Sequence, residues 1–467
     1  MWVQKCTSAY PLREYRREFM YVCMYKDGEM APVHGDSIIW KDLTIAVEPK
    51  TNLKNNEDIK KIFGDAEAII KHIPEEEKKK FHEGLLAAIE KDNEDAHLNA
   101  TQLIQKNNYP VEEHTVKTDD GYLLTMFRIP PKTQPRDVQK KPVVLLMHGL
   151  LGSADDWLLQ GSAKSLAYLL ADAGNDVWLG NTRGNKYSRH HISKHPALKD
   201  FWKFSNDEIA LHDLPAMIDY ALQTSGQEKL HYVGHAQGST TFFALTSERP
   251  EYNDKIISMH ALSPMVYMTN VRSPLVRMIA PTSQFYDLLY QEFGHGAFTP
   301  SKEVVQTTGG SLCQNTVGCD NVCSNVNFVL SGVDMADIDP EMIHVIMGHL
   351  PAGTSTRVMK HYGQGVSSQQ FRKYDYGVET NKQVYGTPEP PKYEMQKVQA
   401  PISLYYSEED WLAHPKDVEQ LVKELPNVKS VTKVPVKHFN HMDFQFSKKA
   451  PETVYKKIVE TMQTATN

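Results

Sequence analysis

Short apolar runs alternate with helical segments from residue 111 to the end of the chain, and this alternation is the strongest constraint on the fold. The runs that we predict as strands are VEEHTVKT, YLLTMFRI, PVVLLM, NDVWLG, LHYVG, IISMHAL, PISLYY and KSVTKV. The first two flank Asp119-Asp120-Gly121 and read as a hairpin. Helices lie between most of the others, which predicts a mostly parallel central sheet flanked by helices on both faces.

The stretch LHYVGHAQGSTTFFAL, residues 230–245, reads as a strand, a tight turn between two glycines and a helix. A G-x-S-x-G turn at such a junction projects a nucleophilic serine for acyl transfer. Here the frame is GHAQG and the central residue is Ala236. A methyl group cannot attack an ester, so covalent catalysis through this position is excluded.

Acyl transfer also needs a base and a carboxylate that orients it, each on a loop after a strand. Asp410 follows the predicted strand that ends near Tyr406, and His441 follows the last predicted strand. They occur in the chain order that this turn predicts, acid before histidine. The neighbours Glu408, Glu409 and His438 remain alternatives at this stage.

Two backbone N–H groups are needed for the oxyanion. One belongs to Gln237, directly after the turn position, and Leu150 in MHGLLGS offers the other after a buried strand. Ser239 and Thr240 lie one helical turn beyond Ala236, roughly 5 Å along the axis, and we therefore do not expect either to replace the missing hydroxyl.

Four segments are predicted along the chain. Residues 1–95 form an N-terminal extension, amphipathic and helical over 60–95, which packs on the body or, as an alternative, binds a partner or a lipid surface. Residues 96–262 and 398–467 form the two parts of the core. Residues 263–397 look helical and lack a strand series, so they are expected to cover the carboxyl edge of the sheet as a cap or lid.

Composition excludes several classes of function. The net charge of −7 is spread along the chain and gives no basic face for nucleic acid. No apolar run approaches the roughly 18 residues of a membrane span. The apolar patch 19–24 is too short for a secretory signal, so no clear signal peptide is visible.

Three of the five cysteines, Cys313, Cys319 and Cys323, lie close together. We favour one local disulfide with a leftover thiol, with three reduced cysteines as the alternative. A zinc site is disfavoured because no histidine supplies a fourth ligand at a familiar spacing, and no other metal site is predicted. Asn99-Ala100-Thr101 is a sequon for N-glycosylation, which matters only if the chain is secreted.

From about residue 98 onward the chain resembles the acid lipase family of α/β-hydrolases, which includes gastric and lysosomal acid lipases and insect lipases. The stretches that carry the resemblance are NYPVEEHTVKTDDGYLLTMFRIP, HGLLGSADDW, LADAGNDVWLGNTRGNKYSR, FWKFSNDEIALHDLPAMIDY, LHYVGHAQG, PAGTS, YDYG, DWLAHPKDV and NHMDF. The resemblance implies an α/β-hydrolase core with a mostly helical cap, and hydrolysis of triacylglycerols or cholesteryl esters without a cofactor.

By motif position, the resemblance places Asp410 and His441 on the family's catalytic acid and base, and Ala236 on its nucleophile. It also places Leu150 and Gln237 on the oxyanion residues. The cysteine cluster resembles the family's cap disulfide, which implies a pairing of Cys313 with Cys323 and leaves Cys319 unexplained. A secreted or lysosomal location is likewise implied.

Two functions follow from the missing hydroxyl. The first is a lipase-like protein without hydrolysis, which binds neutral lipid or fatty acyl chains, meets lipid at a droplet or emulsion interface, or serves in storage, as in yolk. The second is an active secreted lipase inactivated by a serine-to-alanine change. The unusual 95-residue leader and the third cysteine favour natural loss of the serine.

Overall fold

The computed structural model describes residues 90–131, 141–282 and 337–466 continuously, and outside them only positions 25–26, 29–30, 76, 83–84, 87, 286, 296–298 and 330–331. The chain divides into two compact units, Met1–Asn52 and Leu53–Asn467. In the first unit, β1 (Tyr25–Lys26) pairs antiparallel with β2 (Glu29–Met30). The three clustered cysteines and most of the helical segment predicted over 60–95 lie outside the described residues.

Nine of the described strands of the second unit form one sheet. Their bounds are β3 Glu112–Lys117, β4 Tyr122–Ile129, β5 Val143–Met147, β6 Asp176–Leu179, β7 His190–His191, β8 Leu230–His235, β9 Ile256–Leu262, β10 Ile402–Tyr406 and β11 Val428–Lys433. The spatial order is β11-β10-β9-β8-β5-β6-β4-β3, with β7 paired to β4. Strands β6, β5, β8, β9, β10 and β11 are parallel neighbours, whereas β4 runs antiparallel to β6 and β3 to β4.

Helices connect and cover these strands. Among the described residues, the α-helices of at least four residues have the bounds α1 Ala100–Lys106, α2 Leu166–Asp172, α3 Leu214–Ser225, α4 Gln237–Glu248, α5 Pro274–Ile279, α6 Pro340–His349, α7 Thr356–Ser368, α8 Val378–Tyr385, α9 Pro415–Glu424, α10 Asp443–Phe446 and α11 Lys456–Thr466. Short 3₁₀ or π-helical turns supplement them, such as Ile209–Asp213 before α3. Among the helices of the described residues, none combines the length and apolar character needed to cross a bilayer.

The α/β architecture predicted from the sequence is confirmed. All eight predicted strands are present within one or two residues of their expected bounds, and the predicted hairpin is β3–β4. The central strands β5, β6 and β8 are buried at every position, because helices cover both faces of a parallel sheet. The two-residue strand β7 was not predicted, since its pair of histidines carries no apolar alternation.

Residues 263–397 lie between β9 and β10 along the chain. Within residues 263–282 and 337–397, the regular elements are α5, α6, α7, α8 and one short 3₁₀ turn, and strand-like pairing in the described part of the interval is limited to isolated bridges such as Ala297 with Ser355. Two large apolar clusters form the core. One of them contains Ala236 together with side chains from β5, β8, β9 and the 263–397 interval, and so places the turn inside the core.

Candidate active site

The turn between β8 and α4 has the backbone of a nucleophile elbow. Ala236 is fully buried and adopts φ 49° and ψ −109°, a conformation that is costly for a residue with a side chain. A Cβ atom on Gly234 would lie 2.6 Å from the carbonyl carbon of Gly238, and one on Gly238 would lie 2.5 Å from the Met147 carbonyl oxygen. Both glycines are therefore required by the close approach of strand, turn and helix.

The structure brings Asp410 and His441 together at the carboxyl ends of β10 and β11. Nδ1 of His441 lies 3.0 Å and 3.1 Å from the two carboxylate oxygens of Asp410, and both side chains are buried. The alternatives left open by the sequence point elsewhere, because His438 contacts Glu409 at 2.7 Å and Glu408 pairs with Lys433. The acid and base predicted from the sequence are therefore the pair that meets in space.

Asp410 is held as a carboxylate despite its burial. Burial alone would raise the pKa of this carboxyl, but His441 and the hydrogen bonds around it lower the pKa to about 2. The N–H groups of Leu412 and Ala413 donate to Oδ1 at 2.8 Å and 2.9 Å. A carboxylate with four donors around it can hold a buried histidine in one orientation.

Ser263 is a member of this cluster that the sequence did not indicate. It follows β9 directly, has φ 48°, and is fully buried. Its hydroxyl donates to Oδ2 of Asp410 and lies 2.5 Å from Nδ1 of His441. The available signal was a polar residue at the carboxyl end of a core strand, the edge at which ligands bind in open α/β sheets.

His235 holds His441 from the side of the turn at Ala236. Its Nε2 donates to the backbone carbonyl of His441 at 3.0 Å, and the two rings pack at 4.8 Å between centroids. Burial lowers the pKa of His235 to about 3, so the ring is neutral. The loop that carries His441 is thereby tied to the strand that carries Ala236.

The predicted oxyanion loop lies against the elbow. A Cβ atom on Gly149 would be 3.3 Å from that of Ala236, so the start of the loop that contains Leu150 is in contact with the turn. Nδ1 of His148 donates to the Gly149 carbonyl at 2.8 Å, and Nε2 accepts from the N–H of Thr182 at 3.2 Å. Burial lowers the pKa of His148 to about 4, which suits this neutral, loop-fixing role.

Gln237 occupies the first position of α4, where a backbone N–H has no partner within the helix. Among the described residues, the N–H groups of Leu150 and Gln237 both lack a hydrogen-bond acceptor. The side-chain amide of Gln237 donates to Oδ1 of Asn206 at 2.8 Å. The loop and the helix start therefore offer two backbone donors beside Ala236.

The hydroxyl groups nearest along the chain are engaged by the backbone. Ser239 donates to the Gly234 carbonyl at 2.7 Å, and Thr240 donates to the Met265 carbonyl at 2.5 Å. These bonds direct both side chains to backbone carbonyls. The geometry supports the expectation that neither hydroxyl takes the place of a side chain at 236.

Other predicted positions lie apart from this cluster. Asn99 is exposed and caps α1, where its side chain accepts from the N–H of Gln102 at 2.9 Å.

Among the described residues, Asp119, Asp120 and His212 are close enough to share a cation. However, Arg183 donates to both oxygens of Asp120 at 2.6 Å and 2.8 Å, so this carboxylate already has a buried cationic partner.

Comparison with known proteins gives the same architecture. A family model described as the alpha/beta hydrolase fold matches residues 142–445, and one described as a partial alpha/beta-hydrolase lipase region matches residues 100–161. Lipase 3 of Drosophila melanogaster is 42% identical over 360 residues, covering 77% of this chain and 91% of that protein. Lipase 1 of the same fly is 40% identical over 370 residues, covering 79% and 80%.

The similarity extends to vertebrate enzymes. Gastric triacylglycerol lipase of Mus musculus is 38% identical over 381 residues, covering 81% of this chain and 95% of that protein. The matched lengths span most of each relative, and the matched residues 142–445 include Ala236, the predicted oxyanion loop and the Asp410–His441 pair. This chain belongs to the acid lipase family of α/β-hydrolases.

Proposed function

We propose that this chain is a lipase-like protein that keeps the ester site of its family but has lost the nucleophile. It binds neutral lipid esters or acyl chains and does not form an acyl-enzyme. The observation that carries the proposal is Ala236 on a strained elbow, next to an assembled Asp410–His441 pair. Such backbone strain persists where the surrounding structure enforces it. Here the side chain on the strained backbone is the methyl group of Ala236.

In this proposal each remaining residue keeps a defined role. Asp410 orients His441, and the N–H groups of Leu150 and Gln237 stabilise an oxyanion. Removal of the serine of a triad costs about 10⁶ in turnover, which would not support digestion of lipid. A protein of this kind binds, carries or stores acyl lipids, as a yolk protein does.

Several finer expectations belong to the same proposal. Relatives named as gastric triacylglycerol lipases support a neutral-lipid ligand met at a lipid-droplet or emulsion interface, and a secreted or lysosomal location. In that setting Asn99 is glycosylated, and Cys313 pairs with Cys323. Residues 263–397 act as the cap over the site.

The experiment that tests the proposal restores the hydroxyl. We expect Ala236→Ser to raise hydrolysis of a long-chain fluorogenic ester by at least about 10⁴-fold over the parent chain, because in this proposal Asp410, His441 and the two N–H groups keep their catalytic roles. Rates are compared at acidic and neutral pH. The double variant Ala236→Ser with His441→Gln is the matched control and should lose the gain.

Two results would contradict the proposal. If the parent chain hydrolyses long-chain esters with a burst of acyl-enzyme, then another residue supplies the nucleophile. If a folded Ala236→Ser variant gains nothing, the site is not a lipase site that lacks one oxygen. Binding of a fluorescent fatty acyl probe by the parent chain tests the lipid-binding part separately.

A further inference from the structure

We propose that His441, positioned by Asp410 and Ser263, activates a water molecule directly, so that this chain hydrolyses small activated esters in a single displacement. The proposal rests on the proposed function, because it takes Ala236 as the nucleophile position and Leu150 and Gln237 as oxyanion donors. It goes beyond that function by assigning an activity that needs no nucleophilic side chain.

The hydrogen-bond pattern fixes which nitrogen of His441 is basic. The Asp410 carboxylate accepts from two backbone N–H groups and the Ser263 hydroxyl. Nδ1 of His441 faces both carboxylate oxygens and must therefore carry the hydrogen. The neutral ring consequently has its lone pair on Nε2.

Nε2 is also the nitrogen that remains available. Among the described residues it makes no hydrogen bond, whereas Nδ1 is surrounded by Asp410 and Ser263. In a complete triad this lone pair accepts from the serine hydroxyl at the elbow. Ala236 has no hydroxyl hydrogen to donate to Nε2. A water molecule can therefore donate to Nε2 without competition from a side chain at position 236.

The base is held in place without help from a nucleophile. On its Nδ1 side it is fixed by Asp410 and Ser263, and its backbone carbonyl is fixed by His235 at 3.0 Å. General-base catalysis requires a base held within reach of the proton that it removes. Three contacts that do not involve residue 236 supply this positioning.

The chemical step balances without a further reactant. The oxygen of water attacks the ester carbonyl carbon while one of its protons passes to Nε2 of His441, and the carbonyl π electrons move to the oxygen facing the Leu150 and Gln237 N–H groups. The tetrahedral intermediate then collapses, its bond to the leaving oxygen breaks, and His441 returns the proton to that oxygen. The products are a carboxylic acid and an alcohol, and no bond to the protein forms.

Substrate choice follows from this mechanism. Water attacks more weakly than an activated serine, so an ester whose leaving group departs easily is the suitable probe. We would use p-nitrophenyl butyrate, which is small and soluble and does not require a lipid interface. Long-chain triacylglycerols remain outside this activity.

The experiment compares the parent chain with His441→Gln after both preparations are treated with a serine-reactive fluorophosphonate. This reagent silences contaminating serine esterases and finds no nucleophile at position 236. We expect the treated parent to hydrolyse p-nitrophenyl butyrate without a burst, and His441→Gln to be slower by at least about 10²-fold. The parent should also show a normal solvent deuterium isotope effect.

Two further variants keep the result interpretable. His441→Ala should regain activity when imidazole is added, by more than the rate of imidazole with the ester alone and by more than the gain that imidazole gives to His441→Gln, whose longer side chain fills the vacated space. Ser247→Ala removes a buried serine hydroxyl from the far end of α4, where Ser247 accepts from the N–H of Glu394 at 2.7 Å, and should leave the rate unchanged. Circular dichroism verifies the fold of each variant.

The outcomes separate this inference from the proposed function. Equal rates for the treated parent and His441→Gln overturn the inference, including the case in which neither is detectable, and leave the Ala236→Ser test standing. Covalent labelling of the parent by the fluorophosphonate, with loss of its activity, overturns both. Resistance to the reagent together with dependence on His441 supports the water mechanism.

Discussion

At the scale of single residues, Ser263 helps His441 to keep the buried Asp410 carboxyl ionised. Its hydroxyl donates to the buried carboxylate, and this bond is one of the contacts that keep the pKa of Asp410 near 2 against the effect of burial. A hydrogen bond to a charged group contributes about 1.5–3 kcal/mol. Loss of the donor therefore raises the pKa of Asp410.

We expect Ser263→Ala, introduced into the Ala236→Ser chain, to lower kcat/KM by about 10-fold or more and to shift the acid limb of its pH profile upward. The sign follows because Asp410 must be ionised to hold His441, and a higher pKa means that protonation begins at higher pH. The measurement is kcat/KM from pH 3 to 8, with Ser247→Ala as the control. A uniform fall at every pH would indicate a structural effect alone.

The same residues show what sequence can and cannot predict about a site. Asp410 and His441 were predicted because each follows a predicted strand in the chain order of a known triad. Ser263 was not predicted, because its partners are 147 and 178 positions away along the chain. His235 meets the carbonyl of a residue 206 positions away. Such contacts depend on strand order, which periodicity does not encode.

At the scale of elements, α6 is anchored through its last residue. His349 is buried, with Nδ1 2.7 Å from a carboxylate oxygen of Asp155 and Nε2 donating to the backbone carbonyl of Asp95 at 2.7 Å. Asp155 also accepts from Tyr187 at 2.8 Å and contacts Lys186. One histidine thus joins α6 to the 3₁₀ turn Ala154–Trp157 and to the 3₁₀ turn Glu94–Ala96 before α1.

We expect His349→Leu to loosen α6 because it leaves the buried Asp155 carboxylate with one partner fewer. The free energy of unfolding should fall by about 3 kcal/mol. Hydrogen exchange of residues 337–349 should also accelerate more than that of β5 and β8. His344→Gln, at a half-buried position of α6 beside the exposed Asp92, is the control and should change exchange little. Exchange that rises equally in the sheet would contradict the anchoring role.

Elements differ in how well they were predicted, for a physical reason. Strand β5 is a continuous apolar run that ends at turn residues, so its composition alone predicts that both of its faces are buried. The α6 region was predicted as helical, but its attachment was not, since a lone histidine at a helix end carries no signal for a distant aspartate. Local periodicity therefore predicts elements, and pairing across the chain determines how they attach.

At the scale of the whole molecule, buried ionisable groups couple stability to pH. Asp156 is buried beside Asp155, and its Oδ1 has no hydrogen-bond partner among the described residues. Burial, with a contribution from the Asp155 charge, raises the pKa of Asp156 from 3.8 to about 8. The folded chain therefore keeps this carboxyl protonated at pH values where the unfolded chain releases the proton.

The sign of the pH effect follows from this difference. Stability due to the protonated Asp156 is fully present below pH 3.8 and is lost as pH rises through about 8. Asp156→Asn keeps the size of the side chain and removes the titration. We expect the parent to lose stability relative to this variant by about 1.4 kcal/mol per pH unit, to an upper limit of about 5 kcal/mol between pH 4 and 8.

Urea unfolding of both chains at pH 5, 6, 7 and 8 measures the difference, with the exposed Asp254→Asn as the control. The gap between the parent and Asp156→Asn should widen steadily with pH, whereas Asp254→Asn should follow the parent. A gap that stays constant would mean that Asp156 is ionised in the folded chain or paired through another group.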